Sequence, residues 1–250
     1  MAQVNKLNYF KFFIAALLFG VLFYFSADIG SYLGLDDIFD IFIKILIIIG
    51  IGFYAYKREE LNAIFNINIE PIYLLVVFIP AIFSFIFQLC PLDFEPFPNF
   101  VIVTVIGTVT TAIWEEMFFR YVGCSLFRDE NGNIKWYNVV FLAFAFSMGH
   151  VFNGFDNIES LATQLVFTFG LGIFTIALYI HSRSLVLPII AHFAVNSVSD
   201  YFHLFATDEA RELAYSGDWF YLLFAIQVLV MICLGFYILK KNNHLAWSYY

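Results

Sequence analysis

Long apolar runs separated by short polar connections make up most of the chain. A helix needs about 20 mainly apolar residues to cross the hydrocarbon layer of a membrane. Eight runs approach or exceed this length, at residues 9–27, 38–56, 72–90, 99–126, 136–153, 159–180, 185–204 and 219–239. We predict helices because backbone polar groups in lipid must bond within their own segment, and the runs lack the alternation typical of barrel strands. The pattern therefore predicts an all-α, polytopic membrane helix bundle.

Two of these runs have unusual lengths. The run 9–27 follows a short basic region and is too long for the apolar part of a typical signal peptide, so we expect a retained first membrane helix. The run 99–126 is longer than one crossing requires. We expect it to tilt or to project beyond the bilayer.

Composition excludes a water-soluble protein. Apolar residues make up 62% of the 250 positions and charged residues 13%, whereas soluble domains contain about 45–50% and about 25%. No connection is long enough to fold alone, so we predict one multi-pass integral membrane domain over residues 1–250, in the plasma membrane if the source is bacterial. Membrane lipids are the expected surroundings, and nucleic acid is not an expected partner.

Basic residues fall in alternate connections. If eight helices cross the membrane, one side receives Lys6, Lys57, Arg58, Arg128, Lys135, Arg183, Lys240 and Lys241. Only Arg211 falls in a connection on the other side, where acidic residues dominate. Lys and Arg stay preferentially in the cytoplasm. We therefore predict that both termini are cytoplasmic, and that a substrate reaches any site from the cytoplasmic side.

Ionisable side chains occur at membrane depth in the fourth run. Such residues are costly in a bilayer and by default indicate a functional site. Glu116 and Arg120 are four residues apart, so they share a helix face and can pair. Glu115 is rotated from that face by about 100° and needs another partner. A buried ion pair explains Glu116 and Arg120, but it does not explain Glu115.

Histidines occur in two further runs. Phe146 and His150 share a face near the end of the fifth run, and His192 and Asn196 share a face of the seventh. Pro188 precedes His192 by four residues and is expected to kink that helix. Counted along the helices at about 1.5 Å per residue, the carboxylates, imidazoles and amide reach compatible depths. Each histidine alone could be a packing residue; their convergence with Glu115 favours a site.

These groups are suited to the hydrolysis of an amide bond. A carboxylate and an imidazole can bind and deprotonate a water, and a second imidazole with an amide N–H can hold an oxyanion. Alternatively, Glu115, His150 and His192 could ligate a zinc ion with water in the fourth position. The H-E-x-x-H pattern is absent, so a metal site would be of another kind. The sequence leaves both mechanisms open.

Three ordered motifs resemble those of one membrane protein family. Glu115-Glu116-x-x-x-Arg120, Phe146-x-x-x-His150 and His192-x-x-x-Asn196 resemble the motifs of the CPBP family, the CAAX-protease and bacteriocin-processing group, also called Abi. The resemblance covers about residues 99–204. It implies an eight-helix intramembrane endopeptidase fold with that segment as its catalytic core.

The resemblance also implies roles for individual residues. Glu115 and His150 would activate the water, and His192 and Asn196 would act as oxyanion or coordinating groups. Supporting roles would fall to Glu116, Arg120 and Phe146. The family is described both as metalloproteases, which would use a divalent metal such as zinc, and as metal-free glutamate proteases. The implied substrate is a membrane-associated peptide or protein, with a CAAX-like C-terminus or of small size.

Two other functions are compatible with the sequence. A member of the same fold could be a non-catalytic membrane scaffold or immunity protein. A proton-coupled transporter could use Glu115, His150 and His192 as a relay. We see no internal repeat of the kind common in transporters, which makes that function less favoured.

Overall fold

A computed structural model describes residues 6–67, 70–87, 101–129, 133–154, 157–205, 207, 218–241 and 245–246. Helices dominate this part of the chain, and each of the eight predicted runs is helical over most of its described length. Five helices are long and apolar enough to cross a membrane: Lys6–Tyr32, Asp37–Lys57, Ile102–Phe127, Ile158–Ser182 and Phe220–Lys241. The predicted all-α membrane helix bundle is therefore confirmed. The orientation of the bundle in the membrane stays a prediction.

The first half of the chain forms two long helices and several short ones. Helix α1 spans Lys6–Tyr32 and α2 spans Asp36–Lys57, followed by α3 at Leu61–Ile64, α4 at Pro71–Val76 and α5 at Ile79–Phe87. The run predicted as one helix at 72–90 is thus broken. Pro80 has no N–H to donate to the carbonyl four residues earlier, so a regular helix cannot continue through this point.

The second half of the chain contains the longer core helices. Helix α6 (Val101–Glu116) continues through a π-helical turn (Met117–Val122) into α7 (Gly123–Phe127). Then follow α8 at Trp136–Met148, a 3₁₀ turn at Val151–Gly154, α9 at Ile158–Ser182, α10 at Val186–Phe205 and α11 at Asp218–Lys241. Strand β1 (Ile134–Lys135) pairs in parallel with β2 (Leu245–Ala246).

Two sequence predictions need correction in this half. The run 136–153 is not one helix, because α8 ends at Met148 and leaves His150 just beyond it. Pro188 does not kink a helix, because it is the third residue of α10. The first four N–H groups of a helix have no partner within it, so proline is tolerated there.

The core lies around α8 and α9, which pack against each other, while α9 also contacts α10 and α11. Leu142, Phe146 and Phe174 are fully buried in this core. Gly172 lets the two backbones approach closely, since a Cβ there would lie 3.0 Å from the Cα of Ala143. The outer faces of α1 and α2 instead expose large apolar side chains such as Phe10 and Phe53, as lipid contact requires.

The bundle has two chemically different ends. One end, which we call the basic end, carries Arg58, Arg128, Lys135 and Arg183 at the ends of α2, α7, β1 and α9. Contacts tie these segments together: Leu185 N–H donates to the carbonyl of Ile64 at 2.6 Å, and β1 pairs with the C-terminal β2. The opposite end, the acidic end, carries Asp37 at the start of α2 and Glu159 at the start of α9.

Candidate active site

The centre of the candidate site is a buried ion pair at the end of α6. Glu116 and Arg120 are both fully buried, and Arg120 Nε lies 2.8 Å from Glu116 Oε2. Arg120 Nη2 also donates to Glu116 Oε1 at 3.2 Å. The pairing predicted from their four-residue spacing is present in the structure. A buried ion pair is stable only when further hydrogen bonds satisfy its atoms.

Two residues from other helices also contact Arg120. Thr175 of α9 accepts a hydrogen bond from Arg120 Nε at 2.8 Å. Phe146 of α8 places its ring under the guanidinium, with 4.4 Å between the ring centroid and Cζ. Attraction of a desolvated cation by an aromatic face stabilises it further. Sequence reasoning did not identify Thr175, because it is one threonine among several in apolar helices.

Glu116 also orients His192 of α10. His192 Nδ1 lies 2.8 Å from Glu116 Oε1, and both side chains are buried. A carboxylate paired with arginine can only accept, so Nδ1 carries the proton of this hydrogen bond. The other ring nitrogen, Nε2, is thereby turned toward Glu115, whose Oε2 lies 3.6 Å away.

His150 approaches Glu115 from the other side. Its Nδ1 lies 3.0 Å from the carbonyl oxygen of Phe146, which fixes the proton on Nδ1. Its Nε2 lies 3.9 Å from Glu115 Oε2. The ring of Phe146 meets both imidazoles edge to face, with centroid distances of 5.0 Å to His150 and 5.8 Å to His192. Phe146 therefore spaces the two histidines as well as supporting Arg120.

Glu115 is the carboxylate that takes no part in the ion pair of Glu116 with Arg120. It is 7% exposed, and its Oε2 atom has no hydrogen-bond partner within the described part of the chain. A buried acceptor without a partner is costly, and such a group often marks a functional position. The distances of 3.6 and 3.9 Å to the two Nε2 atoms exceed a direct hydrogen bond but suit contacts through a bridging water.

A cavity of about 920 Å³ opens onto these groups. Glu115, His150, His192 and Asn196 all line it, so the structure brings the four predicted catalytic residues to one space. Trp114 lines it as well, packed against Phe19 and Phe23 of α1. This contact between α1 and α6 could not be read from the sequence, where Trp114 stands only as the neighbour of Glu115.

The cavity extends from Glu115 toward the acidic end. Its lining includes Asp37, Asn157 and Glu159, which lie at that end. The side of the membrane from which a substrate reaches the site stays a prediction.

Glu115, His150 and His192 contain donors of the kind that zinc prefers. Each histidine is also anchored through Nδ1, as metal-ligating histidines usually are. As placed, however, the described residues include no group of three or more His, Cys, Asp or Glu side chains that could hold a metal ion.

Comparison with known families finds a match for the segment that carries these residues. Residues 97–198 match the family described as type II CAAX prenyl endopeptidase Rce1-like. This segment, which is less than half of the chain, is similar to the Rce1-like family. The match agrees with the resemblance to CAAX proteases seen in the motifs, and it includes all the Glu, Arg, His and Asn residues of the candidate site. No curated protein and no solved structure matches the chain.

Proposed function

We propose that the protein is an intramembrane endopeptidase that hydrolyses a peptide bond of a membrane-associated protein or peptide. One observation carries the proposal. Within the Rce1-like segment, the partly desolvated carboxylate of Glu115 lies between the Nε2 atoms of His150 and His192, at the wall of a cavity. A water held there would touch a carboxylate and an imidazole at once, which is what general-base hydrolysis requires.

Glu115 would act first as the base. Its Oε2 accepts a proton from the bound water as the water oxygen attacks the carbonyl carbon of the scissile bond. The proton then passes to the amide nitrogen as the carbon–nitrogen bond breaks, which releases an amine and a carboxylic acid. The Nε2 lone pair of His150 faces the same water and orients it.

His192 and Asn196 would stabilise the oxyanion. Both line the cavity from the same face of α10. The side-chain amide of Asn196 can donate N–H directly, and Nε2 of His192 can donate when the ring carries both protons. Donors preorganised in a site of low polarity commonly contribute about 10²–10³ in rate. Glu116 and Arg120 act through His192 and are positioning residues.

A divalent metal remains a separate proposal. Its ligands in the sequence-based hypothesis are Glu115, His150 and His192, but as placed the described side chains do not form a three-ligand site. The steps above use only side chains of the chain itself. A chelator therefore distinguishes the two mechanisms, because only the metal-dependent one loses activity in its presence.

Cleavage by purified protein tests the proposed function. Wild type, Glu115→Gln and Glu59→Gln are incubated in detergent with a library of membrane-associated peptides, with and without a chelator. We expect wild type and Glu59→Gln to cleave alike, since Glu59 is an exposed carboxylate that does not line the cavity. Glu115→Gln should lose about 10²–10⁴ of the rate, the usual contribution of a general base.

Unchanged cleavage by Glu115→Gln would refute the mechanism. An absence of cleavage by the folded wild type would instead favour a non-catalytic scaffold or a proton-coupled transporter. A proton-flux measurement in proteoliposomes separates these two functions, because only the transporter loses flux when Glu115 is replaced.

A further inference from the structure

Two side-chain hydrogen bonds fix the register of α6 against α10. In the middle of α6 the hydroxyl of Thr108 bonds the carboxylate of Asp200. At the end of α6, Glu116 Oε1 lies 2.8 Å from His192 Nδ1. The two bonds are eight residues apart on α6 and, in reverse order, eight residues apart on α10. The helices are therefore antiparallel and stay in register over about 12 Å.

Asn196 lies midway between these two bonds on α10, opposite position 112 of α6. Thr111 is therefore at the level of Asn196, and it shares a helix face with Glu115, one turn further along α6. Thr111 and Asn196 both line the cavity of about 920 Å³. They also line a second cavity of about 310 Å³, which shares several lining residues with the first. Thr111 is thus a polar side chain beside the proposed catalytic groups.

The hydroxyl of Thr111 differs from those of neighbouring threonines. A threonine within a helix ordinarily donates to a carbonyl three or four residues earlier. Thr108, Thr110 and Thr175 each do so. The carbonyl of Gly107, four residues before Thr111, accepts the hydroxyl of Thr110 instead. Within the described part of the chain, the Thr111 hydroxyl has no hydrogen-bond partner and is partly exposed at the cavity wall.

A peptide bound in the cavity needs partners of this kind. Each peptide group brings polar atoms that cost free energy when they are unpaired and away from water. In the proposed mechanism the scissile carbonyl lies beside Asn196 and His192. Thr111 is about 6 Å along α6 from Glu115, which an extended chain covers in about two residues of about 3.3 Å each. The hydroxyl can therefore reach a peptide group one or two residues from the scissile bond.

We propose that Thr111 is a further substrate-binding residue, whose hydroxyl bonds the main chain of the substrate near the scissile bond. The bound segment is then an extended peptide, because the peptide groups of a helix are already bonded to one another. A hydroxyl can donate or accept, so it serves either polar atom of the main chain. This inference rests on the proposed function.

Cleavage kinetics of matched variants test the role of Thr111. Thr111→Val removes the hydroxyl at nearly constant shape, and Thr111→Ser retains it. Thr110→Val is the control, because Thr110 is buried, lines neither cavity and bonds carbonyls of its own helix. Each variant is compared with wild type in detergent, on the library peptide that wild type cleaves fastest. Melting temperatures establish that each variant is folded, and Thr111→Ala replaces Thr111→Val if valine disturbs the packing.

We expect Thr111→Val to raise KM about 3–10-fold, the effect of losing one neutral hydrogen bond. The value of kcat should stay unchanged, since the bond forms equally in the ground state and the transition state. Thr111→Ser and Thr110→Val should keep the wild-type KM. An unchanged KM in Thr111→Val, or an equal rise in Thr110→Val, would overturn the proposal.

A binding measurement separates this inference from the proposed function. Fluorescently labelled library peptides are titrated against Glu115→Gln, with and without Thr111→Val, so that no catalysis is needed. We expect the second substitution to weaken binding by the factor seen in KM. If wild type cleaves nothing but Thr111→Val still weakens binding, the proposed function fails while the peptide site stands. If wild type cleaves and Thr111→Val binds peptide equally well, the inference fails while the function stands.

Discussion

At the scale of single residues, the main feature of the site is that two buried carboxylates lie beside one buried arginine. Arg120 is paired with Glu116, while Glu115 next to it lies near the imidazoles of His150 and His192. Glu116 also holds His192 through the oxygen that Arg120 Nη2 contacts. Loss of any one of these groups therefore changes both the stability of the bundle and the geometry of the site.

We predict that Arg120→Ala destabilises the protein much more than Arg58→Ala. Removing one partner of a buried ion pair leaves an uncompensated charge and costs about 3–5 kcal/mol. The Arg58–Glu60 pair is 2.9 Å long but has about half of the Arg58 side chain exposed, at 51%. Exposed pairs contribute about 0–1 kcal/mol. Thermal unfolding in detergent measures both effects, and equal shifts in melting temperature would contradict the prediction.

A second prediction concerns Glu60, in the connection between α2 and α3. The Arg58 guanidinium donates two hydrogen bonds to Glu60 and holds the pKa of that carboxyl below its ordinary value, and the hydroxyl of Tyr121 lowers it further. A lowered pKa in the folded state stabilises the protein above the ordinary carboxyl pKa of about 4.3. This contribution disappears as the pH falls through the lowered value.

We therefore expect Glu60→Gln to be less stable than wild type at pH 7 and to approach it in acid. The difference should be small, about 1 kcal/mol or less, because the pair is partly exposed. Melting temperatures of both proteins across the acidic range measure it, with Glu59→Gln as the exposed neighbouring control. A difference that persists unchanged at low pH would show that ionisation of Glu60 plays no part.

At the scale of helices, His150 depends on the packing of α1 against the end of α8. A Cβ on Gly20 of α1 would collide with the carbonyl oxygen of Gly149 and lie 2.9 Å from Phe152 Cδ2. Gly149 and Phe152 flank His150 on both sides. The two glycines thus permit the close approach that holds this segment in place.

We predict that Gly20→Ala reduces both stability and peptide cleavage. The added methyl group must push α1 away from the segment that carries His150, and overpacking of this kind costs about 1–3 kcal/mol. Gly50→Ala is the matched control, because no described residue of another segment lies within 4 Å of a Cβ at Gly50 on α2. There the gain in helix propensity of about 0.5–1 kcal/mol should leave the protein as stable or slightly more stable. Parallel effects of the two substitutions would disprove the packing argument.

The π-helical turn Met117–Val122 is a second feature at this scale. It directly follows Glu115 and Glu116, and π-helical turns occur frequently at functional sites. The turn lies where Arg120 must reach Glu116, Thr175 and the ring of Phe146 together. We infer that local widening of the helix accommodates these three contacts.

At the scale of the whole molecule, the separation of basic and acidic ends predicts one orientation. A reporter inserted between Gly34 and Leu35, in the α1–α2 connection, should report a non-cytoplasmic location. The same reporter fused after Lys241, at the end of α11, should report a cytoplasmic one. Paired fusions of a fluorescent protein and alkaline phosphatase measure this, since each is active on one side only. Reversed activities would invert the predicted topology.

The sequence by itself determined the class of the protein and the pairs of residues within single helices. Apolar length specifies membrane helices because lipid requires backbone groups to bond within each segment. The spacing of Glu116 and Arg120, and of Phe146 and His150, specifies shared faces because the helical period is local. The ion pair of Glu116 with Arg120 agrees with the structure, and Phe146 contacts His150 although His150 lies just beyond α8. Two of the eight runs, 72–90 and 136–153, are interrupted in the structure.

Only the tertiary structure decided how these pieces meet. The partnership of Thr175 with Arg120, the position of Glu115 between two histidines and the contact of Gly20 with Gly149 each join helices distant in sequence. The position of the cavity likewise depends on contacts between helices, because the cavity lies where the side chains of several helices leave space between them. Helical period and hydropathy describe one segment at a time. Contacts between segments depend on packing that no single segment encodes.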